Sequence, residues 1–218
     1  YSLLFKLLCD PGDEVLIPQP SYPLFEHLTR LDGVRAVPYQ LEYHGRWSID
    51  LGSVEQALSP RTRIVLVVSP NNPTGHYLSE RDLDALAAHC APRQAAIVSD
   101  EVFADYALDA DDTPRGTLTG RTGVAGFTLG GLSKSVGLPQ AKLGWIAVSG
   151  PADVVRETMP RLELVCDTYL SVSTPVQLAA PALLERGAAV RAQSDALELT
   201  VGDDFWPLPR YREMLFPV

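Results

Sequence analysis

The segment Arg63-Ile-Val-Leu-Val-Val-Ser-Pro-Asn-Asn-Pro-Thr-Gly75 carries the clearest fold signal in the sequence. Its first part, residues 63–68, is rich in β-branched side chains, which is typical of a strand buried on both faces of a sheet. Its second part, residues 69–75, combines prolines, asparagines and a glycine, which predicts a turn. A buried strand that ends in such a turn indicates a parallel sheet with crossover helices.

The same alternation of short apolar runs and helix-like stretches continues on both sides of this segment. Further strands are predicted at 14–17, 35–41, 95–99, 124–129 and 143–149, and helices at 21–31, 50–58 and 79–89. The helix at 79–89 has a strong start signal, because Ser79 can cap its first turn and Asp82 stands at the capping-box position. Strands that alternate with helices predict an α/β fold, here a three-layer α/β/α arrangement around a mostly parallel sheet.

The pattern changes after Gly150-Pro151, where two helices are predicted at 153–164 and 174–186. Pro160 would kink the first helix, and Gly187 would end the second. The chain is therefore divided into a large domain at 1–150, connecting helices and the start of a small C-terminal domain at 151–193, and a divergent tail at 194–218.

Composition excludes several classes of protein. Among the 218 residues, 18 are Lys or Arg and 27 are Asp or Glu, so the formal net charge at pH 7 is −9, which argues against a nucleic-acid partner. The three cysteines form no Cys-x-x-Cys pair, which predicts neither a disulfide framework nor a metal site and favours a cytoplasmic location. The apolar runs are too short for a membrane span.

The segment Gly126 to Pro139 holds a single lysine, Lys134, among serines and glycines. A glycine-rich turn lets a ligand approach the backbone closely, and serine hydroxyls suit a phosphate group. A nucleotide P-loop is not predicted, because that motif needs glycine directly before the lysine and Ser133 stands there. Lys134 could be a phosphate clamp, a surface lysine, or a nucleophile activated by desolvation and by a nearby cation such as Lys142.

Polar side chains follow two further predicted strands, at the edge where parallel sheets bind ligands. Asn72 follows the strand at 63–68, and its amide can donate a hydrogen bond to a phenolate oxygen. Asp100 follows the strand at 95–99, and a carboxylate buried there needs a cation such as a protonated pyridine nitrogen. Each residue alone is equally compatible with a turn, a helix cap or an ion pair.

Taken together, the motifs resemble the class I and II aminotransferases, which are fold-type I pyridoxal 5'-phosphate (PLP) enzymes. The matching motifs are Pro20-Ser-Tyr-Pro23, Asn71-Asn-Pro-Thr-Gly75, Ser99-Asp-Glu-Val-Phe103, Leu132-Ser-Lys-Ser-Val-Gly-Leu-Pro139 and Lys142-Leu-Gly-Trp145. The resemblance extends from about Tyr1 to Arg191 and implies the PLP-binding large domain of that family.

The resemblance implies a role for each matching residue. Lys134 would form the internal Schiff base with PLP and then act as the base that moves a proton. Asp100 would keep the pyridine nitrogen protonated. Asn72 would bond to the phenolic oxygen, with a cis bond expected between it and Pro73, and Tyr22 would stack on the ring.

The remaining cofactor contacts show three departures from the family pattern. Ser133 and Lys142 lie where the family binds the cofactor phosphate, but Lys142 replaces the usual arginine and Gly131 replaces a usual serine. Phe103 replaces a usual tyrosine, whose hydroxyl would also reach the phenolic oxygen. These changes imply fewer hydrogen bonds to the cofactor.

The function implied is that of a PLP-dependent aminotransferase, which moves an amino group between an amino acid and a 2-oxo acid. Two alternatives stay open: a PLP-dependent lyase of the same fold, and a non-catalytic domain that senses ligands or is a remnant. Family members are much longer, so the chain is expected to be truncated or partial, and a homodimer is expected if the full-length chain is present.

Overall fold

The computed structural model describes residues 1–106 and 115–200. The strands are β1 (Glu14–Gln19), β2 (Arg35–Tyr43), β3 (Trp47–Ile49), β4 (Thr62–Val68), β5 (Ala96–Asp100), β6 (Gly126–Gly131) and β7 (Gly144–Ser149). They form one sheet in the order β3-β2-β1-β4-β5-β6-β7. The central strands from β2 to β6 pair in parallel, whereas β3 and β7 lie antiparallel at the two edges. The predicted α/β class and mostly parallel sheet are confirmed.

Helices cover both faces of this sheet. They are α1 (Ser2–Leu8), α2 (Leu24–Leu31), α3 (Leu51–Ala57), α4 (Glu80–Cys90), α5 (Leu132–Ser135), α6 (Ala152–Asp167) and α7 (Thr174–Thr200). Successive residues of β4 point to opposite faces. Val65 therefore packs in a core with side chains of α3 and α4, while Leu66 packs in a second core with α1, α2 and α6. Two cores on one sheet make the three predicted layers.

Local capping explains where two of the helices begin. The Asp50 carboxylate accepts a hydrogen bond of 3.1 Å from the Ser53 N–H at the start of α3. At the start of α4, the Asp82 N–H donates to the Ser79 hydroxyl over 3.1 Å, and the Ser79 N–H donates to the Asp82 carboxylate over 3.3 Å. The predicted capping box is therefore present, and each cap satisfies amide groups that lack a partner within the helix.

The prediction that a helix ends at Gly187 is wrong, because α7 continues to Thr200. A Cβ atom at Gly187 would lie 2.1 Å from the Val136 Cγ1 atom, so the glycine allows close packing on the residue that follows α5. The helix also replaces the first residues of the predicted tail, while residues 201–218 lie outside the described part. The domain division near residue 150 stays a prediction, although all the strands described precede it.

The described residues also bear on two other classes of site. Within residues 1–106 and 115–200, no helix has the length and apolar character that a membrane crossing requires. In the same part of the chain, His, Cys, Asp and Glu side chains form no group of three or more that could hold a metal ion.

Candidate active site

The predicted site residues follow three neighbouring strands at one edge of the sheet. Strands β4, β5 and β6 are adjacent and parallel, so their carboxyl ends lie side by side. Asn72 lies in the loop after β4, Asp100 ends β5, and Lys134 lies in α5 directly after β6. The Ser69 N–H donates to the Asp100 carbonyl over 2.9 Å and ties the first loop to the end of β5.

Asp100 is held by two neutral hydrogen-bond donors. The Tyr1 hydroxyl donates to Oδ2, and the Val102 N–H donates to Oδ1 over 3.1 Å. Burial raises the pKa of Asp100, and the two hydrogen bonds oppose that rise because they stabilise the carboxylate. No Lys or Arg side chain of the described residues forms an ion pair with it. The carboxylate is therefore suited to a cationic ligand.

Lys134 is exposed, and two aromatic residues of the loop after β5 contact its side chain and its backbone. Its Nζ atom lies 5.4 Å from the centroid of the Phe103 ring, within the range of a cation–π contact. Its carbonyl accepts a hydrogen bond of 2.6 Å from the Tyr106 hydroxyl. The Phe103 and Tyr106 rings pack edge to face, with centroids 5.9 Å apart. Since no described carboxylate pairs with the Lys134 ammonium group, this amine can approach a ligand.

The loop after β4 approaches the segment that contains Tyr22. The Asn71 amide donates to the Pro20 carbonyl over 3.3 Å, which joins the two loops. The Asn72-Pro73 bond is cis, as expected. The Asn72 side chain is half-buried and has no hydrogen bond among the described residues, so its amide is free to bind a ligand.

A row of aromatic rings connects Tyr22 with the carboxylate at the end of β5. The Tyr22 ring, which is 47% exposed, contacts the Phe25 ring edge to face at 6.2 Å between centroids. The Phe25 ring contacts the Tyr1 ring in the same way at 5.3 Å. Because the Tyr1 hydroxyl then reaches Asp100, one continuous set of contacts spans this side of the site.

The residues predicted to bind a phosphate group are less well assembled. Ser133 is half-buried, and its hydroxyl has no hydrogen-bond partner among the described residues. Lys142 is exposed, with a left-handed backbone (φ +52°), and no contact of the described residues joins it to the other predicted site residues. A Cβ atom at Gly131 would lie 3.1 Å from the Leu143 carbonyl oxygen, so the close approach of β7 favours glycine there over serine.

Sequence reasoning missed three residues at this site. The contact of Tyr1 with Asp100 and that of Tyr106 with Lys134 were not predicted, because neither tyrosine lies in one of the matching motifs. Trp145 was quoted only as part of a motif, yet its indole covers Gly130, where a Cβ atom would lie 2.4 Å from the ring. Glycine at position 130 leaves room for the Trp145 indole to pack over the end of β6.

The sequence is similar to known proteins over most of its length. The family model for aminotransferase class I and II matches residues 1–199. The tyrosine aminotransferase of Mus musculus is 31% identical over 187 residues, which are 85% of this chain and 41% of the mouse protein. The alanine aminotransferase of Mycobacterium tuberculosis is 29% identical over 176 residues, which are 81% of this chain and 41% of that protein.

The fold is also similar to that of a solved aminotransferase structure. The alanine aminotransferase of Pyrococcus furiosus superposes with a TM-score of 0.73 at 27% identity, over 90% of this chain and 51% of that chain. The chain thus spans 41% of the length of each of the two curated relatives.

Proposed function

The chain belongs to the class I and II aminotransferase family, and on that premise we propose that the protein containing it is a PLP-dependent aminotransferase. Its substrates would be an amino acid and a 2-oxo acid. One observation carries the proposal: a half-buried, desolvated carboxylate without a charged side-chain partner, Asp100, and an exposed amine, Lys134, lie at the ends of neighbouring parallel strands. The names of the relatives, alanine and tyrosine aminotransferases, support the same reaction class.

The residues present fit PLP on chemical grounds. A desolvated carboxylate with only neutral donors lacks a cation, and a pyridinium N–H is a cation of the right kind. An amine that is exposed and not ion-paired can bond covalently to an aldehyde. The free amide of Asn72 and the free hydroxyl of Ser133 are donors for a phenolic oxygen and a phosphate oxygen.

PLP, when bound, supplies an electron sink for chemistry at the substrate α carbon. Lys134 would hold the cofactor and then carry the proton between the reacting carbon atoms. Asp100 would keep the pyridine nitrogen protonated, because a carboxylate in a desolvated site strongly favours a cationic partner. Asn72 would orient the ring through the phenolic oxygen, and Tyr22 would cover one face of the ring.

Lys142 is proposed to contribute charge near the phosphate group and not a direct bond. Its exposed side chain has no contact with Ser133 or Lys134, and a lysine lacks the two-pronged geometry of arginine. Phe103 would contact the cofactor and the Lys134 side chain through its ring, without the hydrogen bond that a tyrosine would donate.

We also propose that the whole protein is a cytoplasmic homodimer. Its three cysteines are free thiols, which suits a reducing compartment. Leu164, Leu170 and Leu178 are 70%, 101% and 79% exposed on or beside α6 and α7. Apolar surface of this kind is normally covered, either by a second copy or by the rest of the chain. Light scattering of the full-length protein would separate a dimer from a monomer.

The test of the function is a visible absorbance spectrum of the full-length protein with added PLP, followed by borohydride reduction and peptide mapping. We expect the reduced adduct on Lys134, its loss in Lys134→Ala, and its retention in Lys6→Arg, a control at a lysine outside the predicted site that keeps the ion pair with Asp32. Amino donors should then yield at most one equivalent of 2-oxo acid per site without an amino acceptor, and continued turnover only when an acceptor is present. Steady production without an acceptor would indicate a lyase, and labelling scattered over many lysines would indicate a domain without catalysis.

A further inference from the structure

We propose that Tyr1 is a positioning residue, whose hydroxyl fixes the orientation of the Asp100 carboxylate and keeps it ionised. This role rests on the proposed function, because Asp100 needs a fixed, charged carboxylate only if it pairs with a cationic ligand. The hydrogen bond from the Tyr1 hydroxyl to the Asp100 carboxylate joins two residues that are far apart in the chain, and the residue pattern around Tyr1 does not predict it.

The Tyr1 ring is held from two sides. Its centroid lies 5.3 Å from that of Phe25 and 6.4 Å from that of Phe5, and both phenylalanines are only 2% exposed. The Tyr1 carbonyl also accepts a hydrogen bond of 3.0 Å from the Phe5 N–H at the start of α1. With ring and backbone both anchored, the hydroxyl has little freedom to leave the carboxylate.

The two oxygen atoms of Asp100 have donors of different origin. Oδ1 is bonded by the N–H of Val102, two residues along the chain, which is a local contact that the loop makes by itself. Oδ2 is bonded by Tyr1 alone among the described residues. Removal of that hydroxyl would leave a desolvated acceptor without a donor, and such an atom is costly in a folded protein. The carboxyl group would respond by rotation or by taking up a proton.

The charged groups around this contact set the expected direction. Burial raises the pKa of both Asp100 and the Tyr1 phenol, so Tyr1 stays a protonated donor while its hydrogen bond favours the charged form of Asp100. Glu101 adds a like charge beside Asp100, and the Val102 N–H donates a hydrogen bond to the other carboxylate oxygen. Tyr1→Phe leaves all of these in place and removes only the hydroxyl.

The experiment compares the full-length protein with its Tyr1→Phe variant, without cofactor and then with PLP. The Asp100 carboxyl is titrated by carbon-13 NMR on protein labelled at aspartate carboxyl carbons, with Asp100→Asn used to assign the signal. We expect the titration midpoint of Asp100 at higher pH in Tyr1→Phe than in the parent. We also expect the dissociation constant for PLP, measured by absorbance, to rise about tenfold. Tyr43→Phe, which removes an exposed hydroxyl on β2, should change neither quantity.

The opposite results are equally informative. An unchanged Asp100 midpoint in a folded Tyr1→Phe protein would overturn the positioning role. Tighter PLP binding in Tyr1→Phe would also overturn it, since it would show that the hydroxyl competes with the pyridine nitrogen for Oδ2. If no variant binds PLP, the proposed function fails, yet the titration of Asp100 without cofactor still decides whether Tyr1 controls its ionisation.

Discussion

The Lys134 ammonium group lies 5.4 Å from the centroid of the Phe103 ring. Phe103 follows Asp100 by three residues. The end of β5 and the short loop after it therefore hold both the ring that contacts Lys134 and the carboxylate proposed to bind the pyridine nitrogen. The backbone of that loop is bonded to β6 as well, because the Glu101 N–H donates to the Leu129 carbonyl over 3.0 Å. The distance between the two proposed catalytic groups is therefore fixed by adjacent strands and by this loop.

Phe103→Tyr should strengthen PLP binding by the full-length protein. The added hydroxyl would provide a hydrogen bond toward the phenolic oxygen, and the ring would keep its contact with the Lys134 ammonium group. A single hydrogen bond of this kind lowers the dissociation constant about two- to tenfold. Absorbance titration with PLP measures it. Phe103→Leu, which removes the ring and the cation–π contact, is the control for the opposite direction. An unchanged dissociation constant in Phe103→Tyr would show that this position does not face the phenolic oxygen.

Tyr106→Phe should destabilise the lysine-bearing turn. It removes the 2.6 Å hydrogen bond to the Lys134 carbonyl but keeps the ring contact with Phe103, so we expect a loss of about 1 kcal/mol in the free energy of unfolding. Covalent attachment of PLP to Lys134 should also become slower, as followed by absorbance. Tyr77→Phe is a matched control, because the Tyr77 hydroxyl donates to the Ala104 carbonyl over 3.3 Å in the same loop without touching Lys134. Equal attachment rates in both variants would contradict a role for Tyr106 at the lysine.

The starts of α3 and α4 and the strands at the centre of the sheet could be predicted because their causes are local in sequence. Ser79 and Asp82 are three residues apart, and the apolar run from Ile64 to Val68 is continuous. The contact between Tyr1 and Asp100 could not be predicted, because the two residues are 99 positions apart and only the folded sheet brings them together. Gly187 was misread for the same reason. A glycine looks like a helix end until the neighbour that needs the space, Val136, is known.

The candidate site divides along the same line. Lys134, Asp100 and Asn72 could be predicted to lie near one another because each belongs to a short motif at a strand end, where a parallel sheet gathers its ligand-binding loops. The separation of Lys142 from the other predicted site residues could not be predicted, because its left-handed backbone and its exposure depend on the turn that precedes β7.

His76 should make the protein less stable in mild acid. Burial lowers the pKa of His76 to about 4, below the value of about 6.5 in the unfolded chain, so the folded state holds a neutral ring that the unfolded state protonates first. The stabilisation is fully present at pH 7 and is lost as the pH falls from about 6.5 toward 4. Between pH 7 and pH 5 the free energy of unfolding should fall by about 2 kcal/mol from this group.

Urea unfolding at the two pH values measures the effect of His76. His76→Gln should remove most of the difference, whereas His27→Gln, at an exposed histidine on α2, should leave it. His76→Gln also loses the 2.8 Å contact with the Thr74 hydroxyl, so the comparison must use the change with pH and not the stability at one pH. The same acid sensitivity in His76→Gln as in the parent would assign the effect to other groups.

Gly187→Ala should destabilise the protein although alanine is the better helix former. In a helix without close neighbours the change would stabilise by about 1 kcal/mol. Here the new Cβ atom would lie 2.1 Å from the Val136 Cγ1 atom, so α7 must move away from the turn that carries Lys134, at a cost of about 1–3 kcal/mol. Thermal unfolding gives the sign, and PLP binding shows whether the displacement reaches the lysine. The Val136 Cβ atom would also lie 2.5 Å away, so Val136→Gly, which removes both clashing atoms and leaves the Cα atom at 3.3 Å, should offset part of the destabilisation of Gly187→Ala in the double variant, beyond the sum of the two single changes. Simple additivity, or a stabilised Gly187→Ala protein, would mean that α7 does not pack on Val136 and that the helix is free of the site.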